Sequence, residues 1–208
     1  MDSRLFSIPY PEFDYNFLTF LLKNTRFPRD VITTMLRNKE IIRVKKGLYV
    51  LGPAWQRPPS QFILANQVYG PSYISKESAL SYYGLIPERV MEVSSMTTAK
   101  SKRFATSVGG FNYEHLPLCL YRVGVTRESL GDERGFLIAI PEKALVDRLR
   151  RERLTNLADL REFLEDGLRI ELEALRSLRL SRLTAIGVAF PSQITSLLFQ
   201  FIKELKSE

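Results

Sequence analysis

Between residues 28 and 51 the hydrophobic period of the chain changes once, from helical to strand-like. In PRDVITTMLRNKEIIRVKKGLYVL, Val31, Ile32, Met35 and Leu36 recur with the spacing of one buried helical face. Arg29, Thr33, Thr34, Arg37 and Asn38 occupy the opposite face. Pro28 suits a first turn, where its missing N–H costs nothing, and Asp30 places a negative charge near the positive helix end. Asn38-Lys39-Glu40 breaks the pattern. Ile41-Ile42-Arg43-Val44 and Leu48-Tyr49-Val50-Leu51 then read as two strands around Lys45-Lys46-Gly47, with Gly47 supplying the backbone freedom of a tight turn. Upstream, Tyr15, Phe17, Leu18, Phe20, Leu21 and Leu22 predict an apolar helix with Asp14 as its N-cap, and residues 24–27 form the turn between the helices.

Helix, turn, helix and basic hairpin is the order of a winged helix-turn-helix, a reader of duplex DNA. The polar face of the second helix carries side chains that bond phosphates and base edges. Arg29, Thr33, Thr34 and Arg37 are expected to face the major groove, with Arg26 and Asn38 beside them. Arg43, Lys45 and Lys46 at the hairpin tip are expected to hold backbone phosphate. From residue 23 to 46 the chain has eight basic and two acidic residues, a net +6.

Residues 52–60, GPAWQRPPS, read as a linker, with Trp55 docked on a domain face. They divide a winged helix at 1–58 from a larger domain at 59–208. After Ser60, which can cap a helix, the pattern predicts helices at 61–68 and 76–83, the latter capped by Ser75. Strands follow at 89–98, 103–108, 111–115, 118–125 and 135–140, with Gly109-Gly110 as a hairpin turn. Helices return at 142–151, 157–165, 170–178 and 192–205. Helices, then a mainly antiparallel sheet, then helices make the fold class α+β.

Composition narrows the chemistry. With 208 residues, 45% of them hydrophobic, and a net charge of +7, the chain can build a real core and favours an anionic partner. No apolar run reaches the ~18–20 residues of a membrane span and the N-terminus lacks a signal sequence, so a cytoplasmic location is expected. One histidine, His115, and one cysteine, Cys119, leave no multi-ligand metal site. No GxxxxGK, GxGxxG or GxSxG pattern occurs, and no carboxylate cluster suits a nuclease. A binding protein without metal, cofactor or small-molecule substrate is expected rather than an enzyme. A second basic surface is a further expectation, formed by Lys100, Lys102, Arg103, Arg148 and Arg151.

Residues 65–98 carry Gly70-Pro71-Ser72-Tyr73-Ile74-Ser75 and then Ser78-Ala79-Leu80-Ser81-Tyr82-Tyr83-Gly84-Leu85-Ile86-Pro87. Further on come Lys102-Arg103-Phe104 and Ile140-Pro141-Glu142-Lys143-Ala144-Leu145-Val146-Asp147. In these motifs the chain resembles the AbiEi family of antitoxins from type IV, abortive-infection toxin–antitoxin systems. The resemblance spans residues 15–150 and leaves the final third unmatched. It implies an N-terminal winged helix that binds inverted repeats in double-stranded promoter DNA and represses its own operon. It also implies a second domain that counteracts a nucleotidyltransferase-like toxin without a stable complex. The alternatives are a nuclease or nucleotide-modifying enzyme targeted by the winged helix, and an antitoxin that sequesters its toxin by direct binding.

Overall fold

The computed structural model describes residues 2–88, 90–131 and 133–207. At the N-terminus a 3-10 turn, Ser3–Ser7, precedes strand β1 (Glu12–Asp14) and helices α1 (Tyr15–Leu21) and α2 (Pro28–Arg37). Strands β2 (Ile41–Lys45) and β3 (Leu48–Leu51) follow. The strands form an antiparallel sheet in the order β1-β3-β2. Asp14 caps α1 as its position predicts, its carboxylate accepting from Phe17 N at 2.7 Å. Neither β1 nor the first 3-10 turn is visible in the periodicity, because each is too short to display one.

The middle of the chain contains α3 (Gln61–Val68), β4 (Ser72–Ile74), α4 (Lys76–Tyr82), β5 (Glu92–Thr97), β6 (Lys102–Thr106) and β7 (Gly109–His115). Next come α5 (Leu118–Tyr121), β8 (Val125–Ser129), β9 (Gly135–Ala139) and α6 (Pro141–Leu149). These strands make a six-stranded sheet in the order β6-β7-β5-β4-β9-β8. The pairs β6·β7, β4·β5 and β8·β9 are antiparallel, while β5·β7 and β4·β9 are parallel. Helix α3 covers one face, where the Tyr113 hydroxyl donates to Ala65 O at 2.6 Å. Helix α6 covers the other. The chain closes with α7 (Leu157–Glu162), which runs into a π-helical turn over Phe163–Gly167, and then α8 (Leu172–Arg176), α9 (Leu180–Ala189) and α10 (Gln193–Leu205). The class is α+β. Among the described residues no helix is long and apolar enough to cross a membrane.

Three local expectations are corrected. Residues 118–125 do not form one strand: Pro117 O accepts from Leu120 N and Tyr121 N to start α5, and Gly124 at φ +74° resets the backbone before β8. Gly109-Gly110 is not the hairpin turn. Both residues pair inside β7, opposite Thr106 and Ala105, and the turn lies at Ser107-Val108. Ser75 stands at the N-cap of α4, yet its hydroxyl makes no capping bond. The strand predicted from Arg89 begins at Glu92, and Arg89 itself lies outside the described residues. Helix α9 escaped the periodicity because it buries only Leu183 and Ile186 fully.

The hydroxyl of Ser75 has a stronger partner. Asp147 Oδ2 accepts from Ser75 Oγ at 2.7 Å and from Tyr73 OH at 2.8 Å, while Lys143 Nζ meets Asp147 Oδ1 at 2.5 Å. Lys143 and Asp147 are each 2% exposed. Burial and the Asp147 charge push the Tyr73 hydroxyl far above its ordinary pKa, so it remains a donor. A carboxylate with three donors is what allows a charge to persist inside a core. Its neighbour Glu142, also buried, reaches another helix and accepts from Arg179 N at the start of α9. Replacing Asp147 with Ala strands the Lys143 ammonium. Urea unfolding should then show a loss of about 3–5 kcal/mol, and an unchanged midpoint would mean the network carries no stability.

Candidate nucleic-acid interface

The exposed face of α2 is set by its burial. Ile32 and Met35 point into a small core with Leu18, Leu22, Ile41, Tyr49 and Leu51. That leaves Arg29, Thr33, Thr34, Arg37 and Asn38 exposed on the far side. The helix starts at Pro28 without a side-chain cap and ends where Lys39 takes a left-handed φ of +56°. Arg26 precedes it, exposed, with its guanidinium 5.3 Å from the Phe27 ring centroid. Among the described residues Arg26, Arg29 and Arg37 make no ion pair, and the one acid on the helix is Asp30. The Thr33 hydroxyl donates back to Arg29 O at 2.9 Å and keeps its lone pairs toward solvent.

The hairpin is built differently from its sequence pattern. Lys45 pairs with Leu48 and Arg43 with Tyr49, so Val44 is an extra residue and β2 bulges. The two-residue turn is Lys46-Gly47, with Gly47 at φ +86°. Arg43 and Lys46 stay exposed. The bulge interrupts the alternation and rotates Lys45 inward, where its ammonium donates to Val68 O at 2.6 Å at the C-terminal end of α3. Burial pushes the Lys45 ammonium below its usual pKa, and the negative end of α3 is a natural seat for it. Lys45 thus holds the hairpin to the second domain, whereas Arg43 and Lys46 face solvent.

The hairpin has no free inner face. All four residues of β3 are buried. Tyr49 and Leu51 belong to the small N-terminal core, while Leu48 and Val50, with Val44 of β2, belong to the large core of the second domain. Glu12 of β1, 6% exposed, accepts from Arg134 Nη1 at 2.9 Å and from Ser60 N. Arg57 donates to Ile8 O at 2.8 Å and to Pro9 O. Residues 52–60 are therefore pinned in place rather than slack. Trp55 docks as expected, its indole N–H reaching Glu40 O at 3.1 Å. Gly52 sits so close to Lys39 that a Cβ would lie 1.8 Å from the Lys39 carbonyl oxygen.

The five residues expected to form a second basic surface are divided by their partners. Arg103 pairs with Glu92 at 2.7 Å, Arg148 with Glu77 at 2.6 Å and Glu152, and Arg151 with Glu114 at 2.8 Å. Lys100 and Lys102 are exposed and make no ion pair among the described residues. The Lys102 ammonium lies over Phe104 at 4.9 Å and Tyr69 at 5.9 Å. Sequence reasoning missed the exposed aromatics beside the basic residues, Phe20 with Lys23 and Phe27 with Arg26. The Arg26-Phe27-Pro28 tripeptide was the available signal, an apolar ring at a helix start with no buried period behind it. Among the described residues no group of three His, Cys, Asp or Glu side chains is placed to hold a metal ion.

Replacing Lys45 with Ala should act on stability rather than on charge-driven binding. The lost charge-assisted bond predicts a destabilisation of about 1.5–3 kcal/mol in denaturant unfolding, with the salt dependence of any binding to duplex DNA unchanged. A flattened salt dependence at unchanged stability would return Lys45 to the phosphate contacts. No protein-family model matches the chain, and no curated protein matches it.

Proposed function

We propose that this protein is a DNA-binding antitoxin that represses its own toxin–antitoxin operon through an N-terminal winged helix-turn-helix. The observation that carries the DNA-binding part is the exposed polar face of α2, whose arginines make no ion pair among the described residues. The half-buried Arg134, Arg148 and Arg150 pair with carboxylates; among the described residues Arg26, Arg29 and Arg37 do not. Their location supports the reading. Strand, helix, helix and hairpin follow one another, and β1 pairs with β3 to give the order β1-β3-β2 of a winged helix. A helix so mounted can lay its outer face in a major groove, with Arg43 and Lys46 set to meet the backbone.

The antitoxin part rests on the resemblance to AbiEi proteins, and its object is a nucleotidyltransferase-like toxin encoded beside this gene. The polar network around Asp147 serves the fold, since Lys143 and Asp147 are closed to solvent. No reaction is assigned to it.

Fluorescence anisotropy with duplex DNA from upstream of the reading frame tests the first part. Replacing Arg37 with Ala should weaken specific binding by about 1–3 kcal/mol if it contacts a base, and leave nonspecific affinity nearly intact. The same change at Arg29 should lower specific and nonspecific affinity together if it holds a phosphate. Absence of salt-dependent binding by the unaltered protein overturns the proposal. Co-expression with the neighbouring toxin tests the second part, with restored growth as the expected result.

A further inference from the structure

Lys100 and Lys102, which make no ion pair among the described residues, are not equivalent, and Lys102 adjoins the hairpin. Lys102 opens β6, the edge strand of the large sheet, and stands opposite Tyr113. Tyr113 bonds to Ala65 O of α3, so Lys102 lies on the α3 face of the sheet. Its alternate neighbour Arg103 points to the other face, where Glu92 takes it. The α3 face is also where the hairpin is seated. Lys45 is held by Val68 O, and Lys102 lies over the ring of the next residue, Tyr69. At the far end of β6, Ser107 Oγ reaches the carbonyl of Arg43 at 3.5 Å.

These placements make one exposed basic track. It runs from Lys46 and Arg43 on the hairpin to Lys102 along the outer edge of β6. Five residue steps lead from Lys102 along β6 to Ser107, a length of about 16 Å at ~3.3 Å per step. That length corresponds to about five base pairs at ~3.4 Å each. Acidic neighbours do not neutralise the track: among the described residues none of Arg43, Lys46 and Lys102 forms an ion pair. The seam beneath it is rigid, since Val44, Leu48 and Val50 are part of the second domain's core.

Building on the DNA-binding reading above, we propose that the duplex held by α2 continues across the domain seam onto β6, where Lys102 binds a backbone phosphate. The second domain thereby extends the site to flanking DNA that α2 and the hairpin do not cover. The contact is sequence-independent, because a lysine at a strand edge offers a charge and no base readout.

The test uses the full chain and a generic duplex of unrelated sequence, with affinity measured over a range of salt. Each phosphate contact contributes about 0.9 to the slope of log K against log salt. Lys102→Ala should reduce the magnitude of that slope by about 0.9, as Lys46→Ala should, and Lys102→Arg should retain it. Lys203→Ala, which removes the same charge from an exposed position on α10, should leave the slope at its original value. A Lys102→Ala slope equal to that of the unaltered protein, with Lys46→Ala still reduced, overturns the extension and leaves the DNA-binding reading standing. An unaltered protein with no salt-dependent affinity overturns both.

Discussion

Strand β3 is the constraint on which the arrangement depends. It is the central strand of the N-terminal sheet, and both of its faces are buried. Strand alternation sends Tyr49 and Leu51 to one core and Leu48 and Val50 to the other. One four-residue segment therefore joins the support of α2 to the larger domain. Burying Val44, Leu48 and Val50 stabilises that junction by on the order of 5–9 kcal/mol, an upper estimate from area burial. The Glu12–Arg134 pair and the Lys45–Val68 bond add polar contacts across the same junction. Helix α2 is consequently oriented by the whole molecule, not by a tethered module.

Charge is distributed with the same logic. The second domain holds many arginines against carboxylates, and Glu114 alone draws in Lys76, Arg150 and Arg151. Such pairs shape the fold and offer little to an anionic ligand. The α2 face and the solvent edge of the hairpin lack acids of their own apart from Asp30. Net charge counted along the sequence treats these two populations alike, and only their partners separate them.

Much of the local structure was legible because its causes are local. The helix at Pro28–Arg37 and the Asp14 and Ser60 caps depend on neighbouring residues, and the structure has them where the pattern puts them. The apolar run Leu48-Tyr49-Val50-Leu51 was legible as a strand, but not its burial on both faces. What covers the second face was not legible, since it is a non-local contact with α3 and the β6–β7 turn. The inward Lys45 follows from a bulge at Val44 that has no glycine to announce it. Ser75 exchanged its capping role for a bond to Asp147, 72 positions away, and no window of neighbouring residues contains that choice. The candidate DNA face of α2 was legible as a pattern; the split of the second basic group was not, because ion-pair partners come from other strands and helices.

The edge position of β6 has one more consequence, for the behaviour of the chain in concentrated solution. An open strand edge presents unpaired amide and carbonyl groups, and a neighbouring molecule can add to it as a further strand. Charged side chains on successive residues hinder that stacking, and β6 begins with Lys102 on one face and Arg103 on the other. Arg103 is exposed but paired with Glu92, whereas Lys102 on the α3 side has no ion pair among the described residues. Lys102 thus helps to keep one copy from growing onto the next. Selection for colloidal solubility and selection for affinity would then act on the same side chain.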